Sequence, residues 1–322
     1  MKFLLFFTLL IVHKVESLLT LKNVLQCGQR VVVSGLIVGG NETKPGEWPW
    51  LVALTLNPSH SFFCGGTLIS EKHVLSGELN EHFVALKNKF YYFLSAAHCF
   101  KQKRSSQLLD SHNVTVVVGK HDLGIPNELG SSNHSVLEVI LHRDWNISTT
   151  SYEADIALLF LFNSVSFSEK VQPICLPEPS IEETIGSGIV AGWGYSSSYS
   201  FEVEQFPRKI DVPVISKIQC YHKFPLLAKL GSDRTFCGGY DGRGISPCAG
   251  DSGGGFYQRG NSSWSVLGIV SSALTNLDQS CETNIYTIYT NVAKLVYWIR
   301  NVIADGKFII KKYVEFECQV GR

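Results

Sequence analysis

From Ile37 onward, short apolar or β-branched runs alternate with clusters of Gly, Pro, Asn and Ser. Trp50 to Leu56, Val114 to Gly119, Ser135 to His142, Ile156 to Leu161, Ile189 to Trp193, Arg208 to Ile215 and Trp264 to Ser271 are examples. Runs of this length bounded by turn residues read as antiparallel strands, and a succession of them makes a sandwich or a barrel. One segment departs from that rhythm. Val292, Leu295, Val296, Ile299, Val302 and Ile303 recur at helical spacing, which predicts a single amphipathic helix before a tail at 305–322. The 322 residues would nominally suggest two domains, but all-β barrels run to about 200–250 residues as one unit. With 45% hydrophobic and 11% aromatic residues the chain can bury a sizeable core, which excludes a mainly disordered protein.

Lys+Arg and Asp+Glu both number 28, and a chain without basic excess is not built to hold nucleic acid. Lys2, the apolar run Phe3 to Val12 and the small residue Ser17 have the grammar of a signal peptide at 1–17. The run is too short to span a bilayer, so the mature chain is expected to be secreted, extracellular and without a membrane anchor. Nine widely spread cysteines suit an oxidising compartment. Asn41, Asn113, Asn133, Asn146 and Asn261 head Asn-x-Ser/Thr triplets, the acceptors of N-glycosylation. No cofactor is expected. His98 beside Cys99 lacks a second close Cys/His pair to complete a tetrahedral metal set, and Lys101, Lys103 and Arg104 read as a solvated face.

Three motifs carry the chemistry: Ala96-Ala97-His98-Cys99, Asp155-Ile156-Ala157-Leu158-Leu159 and Gly250-Asp251-Ser252-Gly253-Gly254. Singly, they could be a disulfide beside a packed histidine, the start of any strand, and a turn. Together, in the order His, Asp, Ser, they match a known protease arrangement. Further landmarks are Ile37-Val38-Gly39-Gly40, Trp48-Pro49-Trp50, Cys64-Gly65-Gly66-Thr67-Leu68-Ile69-Ser70, Gln172-Pro173-Ile174-Cys175-Leu176-Pro177 and Gly192-Trp193-Gly194. On these residues the chain closely resembles the trypsin/chymotrypsin family over residues 37–304. The resemblance implies an all-β fold of two six-stranded antiparallel β-barrels with a C-terminal α-helix, stapled by disulfides, with the active site between the barrels. It also implies a serine endopeptidase, made as a zymogen, that acts on protein or peptide substrates and meets protein protease inhibitors.

By that resemblance His98, Asp155 and Ser252 are the catalytic residues, and the backbone N–H groups of Gly250 and Ser252 form the oxyanion hole. A serine hydroxyl is a poor nucleophile at neutral pH, so a base must accept its proton and return it to the leaving amine. Activation in the family cuts just before the Ile-Val-Gly-Gly motif, and the new α-amino group pairs with the aspartate preceding the serine. Here the groups are Ile37 and Asp251, with Leu36 where most relatives carry Arg or Lys, so an activating protease that cuts after Leu36 is implied. Cleavage after Arg30, exposing Val31, is a poorer match to the motif. The implied disulfides are Cys64 with Cys99, Cys220 with Cys237, Cys248 with Cys281, and Cys27 with Cys175. The last would tether a propeptide at 18–36, and Cys318 has no family partner.

The resemblance also implies that Ser246 falls at the base of the specificity pocket, with Ala273 and Thr287 on its walls. A neutral base gives Arg or Lys no counter-charge, so small or aliphatic residues are expected before the scissile bond, with aromatic residues as the competing preference.

Thirty-four residues separate Cys64 from Cys99, more than twice the family's usual spacing. Removing the nineteen residues 77–95 runs Val74-Leu75-Ser76 straight into Ala96-Ala97-His98-Cys99. The segment at 77–95 is therefore expected to be an atypical insertion translated from a short retained intron, with a genuine loop beside the substrate cleft as the rival reading. An insertion at that join would disturb His98, which raises the alternative of a non-catalytic homologue acting as a binding or regulatory protein.

Overall fold

A computed structural model describes residues 27–30, 41–73, 89–102, 105, 107–149, 151–161, 164–178, 186–195, 202–243, 246–248, 250–272 and 284–304. The expectations at 1–17, Leu36, Ile37, Ala273, Cys281, Cys318 and 305–322 lie outside the described residues.

The first barrel is built from β2 (Leu51–Leu56), β3 (Ser61–His73), β4 (Lys89–Ser95), β5 (Val114–Val118), β6 (Ser132–Leu141) and β7 (Ala157–Leu161). All pairs are antiparallel in the order β2-β3-β4-β7-β6-β5, and β5 closes on β2 with Val52 opposite Val118. The second barrel uses β8 (Ser187–Gly192), β9 (Arg208–Ile215), β10 (Thr235–Gly238), β11 (Gly255–Arg259), β12 (Trp264–Ser272) and β13 (Thr287–Asn291). Its order is β9-β10-β13-β12-β11-β8; β8 pairs back onto β9, and β1 (Asn41–Glu42) adds to the outer side of β9.

Composition explains the strands. The Val-Thr-Val-Val-Val run of β5 is buried at every position, where β-branched side chains pack well on a pleated surface. Helix α1 (Lys217–Lys223) starts where the Ser216 hydroxyl accepts the Gln219 amide proton, and Pro225 opens α2 (Pro225–Leu230). Helix α3 (292–304) follows the apolar spacing of the sequence and buries Val292, Leu295, Val296 and Ile299.

Aromatic side chains weld the barrels together. Trp48 stacks on Tyr257 at 5.6 Å between centroids and meets Trp264 edge-on at 5.2 Å. Such pairs add about 0.5–1.5 kcal/mol each beyond their burial. The Thr67 and Tyr257 hydroxyls bond at 3.0 Å across the same junction, and Lys209 on β9 pairs with the buried Glu47 at 2.5 Å.

The last seven residues of the segment 77–95, Lys89–Ser95, form β4. Thr67 pairs with Leu94 and Leu68 with Phe93 on one side; Phe93 pairs with Leu159 and Leu94 with Leu158 on the other. Phe93, Leu94 and Ser95 are fully buried. Physically, Phe93-Leu94-Ser95 has the same apolar-apolar-serine character as Val74-Leu75-Ser76 and directly precedes Ala96, so it fills the strand. The ends of β3 and β4 are held together by the His73–Lys89 pair, and residues 74–88 between them lie outside the described residues.

Three expected disulfides are present: Cys27–Cys175, Cys64–Cys99 and Cys220–Cys237. Cys248 is disulfide-bonded as well, although its expected partner lies outside the described residues.

Candidate active site

The candidate residues come from three separate elements. His98 lies in a 3-10 turn, Ala97–Phe100, that follows β4 and is pinned to β3 by Cys64–Cys99. Asp155 precedes β7, and Ser252 sits in the turn that leads into β11.

Asp155 is fully buried, and four hydrogen bonds fix it. Its Oδ2 lies 2.7 Å from His98 Nδ1 and accepts the Ser271 hydroxyl proton at 2.5 Å. Its Oδ1 accepts the His98 amide at 2.8 Å, and its backbone carbonyl accepts the Thr290 hydroxyl at 2.9 Å. The preceding Ala154 takes φ +48°, a left-handed conformation that costs an L-residue about 1–2 kcal/mol. Strain of this kind is held at sites where the surroundings over-determine the backbone.

The His98 side chain is 29% exposed. Burial disfavours the charged ring, but the Asp155 charge and hydrogen bond outweigh it and raise its pKa above the usual histidine value. Tyr152 stands edge-on to the ring at 6.1 Å between centroids.

The backbone of the Ser252 turn is held against β3. The Ser252 carbonyl accepts the Gly65 amide at 2.8 Å, and Gly65 adjoins Cys64 in the disulfide that holds Cys99 beside His98. Gly253 has φ +79°, and a Cβ there would sit 2.2 Å from Ser95 Oγ and 2.5 Å from the Gly65 carbonyl. Only glycine allows so close an approach of the serine turn to the strand leading into His98. Gly250, at φ +98°, shapes the other side of the turn.

The Asp251 carboxylate is held by two backbone amides. Its Oδ1 accepts the Gly194 amide at 3.0 Å and its Oδ2 the Cys248 amide at 2.9 Å. A Cβ at Gly192 or Gly194 would stand 2.4 or 2.2 Å from its carboxylate oxygens, which explains the Gly-Trp-Gly spacing. Burial raises the Asp251 pKa to about 6, against the partial compensation of those two amides. At the expected pocket base, the Ser246 and Thr287 hydroxyls bond to each other at 2.8 Å.

The sequence reading did not single out Ser271, Thr290, Ser95 or Tyr152. Ser271 and Thr290 lie on adjacent β-strands far along the chain, and nothing in their local sequence marks them.

Two closed antiparallel barrels with a buried aspartate beneath a half-open histidine at their junction define a chymotrypsin-type protease. The comparisons agree. The family model described as Trypsin matches residues 37–88 and 84–299, so the chain belongs to the trypsin family and is a serine endopeptidase. The two matched stretches overlap at 84–88. The chain is similar to Serine protease gd of Drosophila melanogaster (31% identical over 290 residues, 79% of this chain), but spans only 50% of that relative's length. It is similar to the Clotting factor G beta subunit of Tachypleus tridentatus (27% identical, 87% of this chain and 83% of the relative). It is likewise similar to Coagulation factor IX of Cavia porcellus (30% identical, 81% and 80%).

Proposed function

We propose that this is a secreted zymogen, with a signal peptide at 1–17, a propeptide at 18–36 and a protease domain at 37–304, that hydrolyses peptide bonds through an acyl-enzyme on Ser252. The observation that carries the reading is the 2.7 Å contact of His98 Nδ1 with the fully buried Asp155, itself clasped by Ser271. In that geometry Nδ1 is the donating nitrogen, which leaves the other ring nitrogen to take the Ser252 proton. The Ser252 oxygen then attacks the substrate carbonyl, and the ring returns the proton to the leaving amine. Water repeats the sequence to release the acid.

The N–H groups of Gly250 and Ser252 stabilise the oxyanion, and losing one such donor costs about 2.7–4 kcal/mol. The 2.7 Å His98–Asp155 contact supports the enzyme over a silent binding homologue.

Activation cuts after Leu36, and the Ile37 ammonium pairs with Asp251. The buried Asp251 carboxyl, with two amides and a raised pKa, is a site prepared for a cation. The hydroxyl pair of Ser246 and Thr287 offers no charge to Arg or Lys, which supports small or aliphatic residues before the scissile bond. Exposed Asn113, Asn133, Asn146 and Asn261 are available for glycosylation in a secretory pathway.

The test is a peptide library digested by the chain cleaved at Leu36–Ile37. Cleavage after Ala, Val or Leu, abolished by Ser252→Ala, is expected. Cleavage mainly after Arg or Lys would overturn the pocket assignment, and no cleavage by the processed chain would overturn the proposed mechanism.

A further inference from the structure

The segment 27–30 is held on the protease body by far more than its disulfide. Gly28 donates its amide to the Pro173 carbonyl at 2.8 Å and accepts the Trp264 amide at 2.9 Å. Its φ is +69°, and a Cβ would lie 2.2 Å from the Trp264 carbonyl, so the chain lies flat against β12. The Gln29 side chain donates to the Ser262 carbonyl at 3.1 Å.

Arg30 then turns inward. Its guanidinium carbon is 4.7 Å from the Trp48 ring centroid and 4.6 Å from that of Trp264, within cation–π reach of both. The two indoles meet at 82°, forming a corner, and the Glu47 carbonyl accepts from Arg30 Nη1 at 3.4 Å. Trp48 and Trp264 are themselves buried in the aromatic junction of the barrels. Burial lowers the Arg30 pKa, partly offset by Glu47.

We propose that Trp48, Trp264 and the Glu47 carbonyl form a guanidinium-binding site whose occupant is Arg30, and that occupancy withdraws the Arg30–Val31 bond from arginine-directed proteases. A protease of that type must take the whole arginine side chain, stem and guanidinium, into its own pocket. It reaches Arg30 only when both indole contacts open, so cleavage follows the population of the open form.

Arg30 is the only Arg or Lys between Cys27 and Ile37. A cut after it would leave six residues ahead of Ile37 and yield no Ile37 terminus. The site therefore protects the zymogen from an unproductive cut, a consequence that rests on the zymogen reading. The site itself does not, and it also holds the pro-segment in place independently of Cys27–Cys175.

The experiment is limited trypsin digestion of the native full chain, with the Arg30–Val31 cut followed by mass spectrometry and its rate divided by that in the urea-unfolded chain. The native wild type is expected to be cut at this bond at least a hundredfold more slowly than when unfolded. Arg30→Lys, which keeps a trypsin bond but fits the indole corner poorly, is expected to be cut at least tenfold faster in the native state; Trp264→Leu should behave likewise. Equal native rates for wild type and Arg30→Lys would overturn the proposal, as would a native wild type cut as fast as the unfolded chain. Because the readout is the Arg30 bond alone, this result is independent of which bond activates the protease.

Discussion

Asp251 ties the stability of the uncut chain to pH in a direction opposite to most aspartates. Its carboxyl is raised from 3.8 to about 6 because the ionised form loses water on burial. Below the unfolded value both folded and unfolded forms are protonated, and nothing is lost. As pH rises between the two values the unfolded chain ionises freely while the folded chain resists, so stability falls. Above about pH 6 the deficit is complete, a little over two pKa steps, or about 3 kcal/mol. Urea denaturation of the uncut chain and of Asp251→Asn, across about pH 4 to pH 7, isolates this contribution. The variant lacks one amide partner and is offset by a constant amount, but the wild type should lose about 2.4 kcal/mol relative to it over that interval, the rest of the loss falling below pH 4. Cleavage at Leu36–Ile37 should cancel the loss, since an ammonium beside Asp251 favours the ionised carboxylate. Parallel pH curves for wild type and Asp251→Asn would refute the reasoning.

Three further outcomes follow from the geometry. Gly253→Ala places a methyl against the Gly65 carbonyl and Ser95 Oγ at a left-handed φ, so kcat/KM should fall on the order of a hundredfold through a shift of about 1 Å in Ser252, measured by peptide hydrolysis. Ser271→Ala removes a 2.5 Å bond to a buried carboxylate and should destabilise by about 1.5–3 kcal/mol in chemical denaturation, leaving the two His98 contacts of Asp155 intact. Deleting 77–95, which joins Ser76 directly to Ala96 and lets Val74-Leu75-Ser76 take the place of Phe93-Leu94-Ser95, should give a folded and labelled enzyme, read by circular dichroism and serine labelling.

Much of this architecture was legible because its signals are local. The β-branched runs at Val114 to Gly119 and Arg208 to Ile215 became β5 and β9, and the helical spacing from Val292 to Ile303 became α3. The motifs around His98, Asp155 and Ser252 marked the candidate site because glycine and alanine neighbours are demanded by close packing. The choice between Val74-Leu75-Ser76 and Phe93-Leu94-Ser95 was not legible, since either tripeptide satisfies the same strand; only the ladder with β3 and β7 decides it. Arg30 was equally opaque. In sequence it is a basic residue near a cut site, and its use emerges only when Trp48 and Trp264, 216 positions apart, form one corner.

Fluorophosphonate labelling of the secreted chain, before and after cleavage at Leu36–Ile37, tests the central claim most directly. The account predicts one adduct, on Ser252, forming rapidly in the cleaved chain, slowly in the uncut chain, and not at all with His98→Ala. A cleaved chain that takes no label at Ser252, or labels equally well without His98, would contradict it.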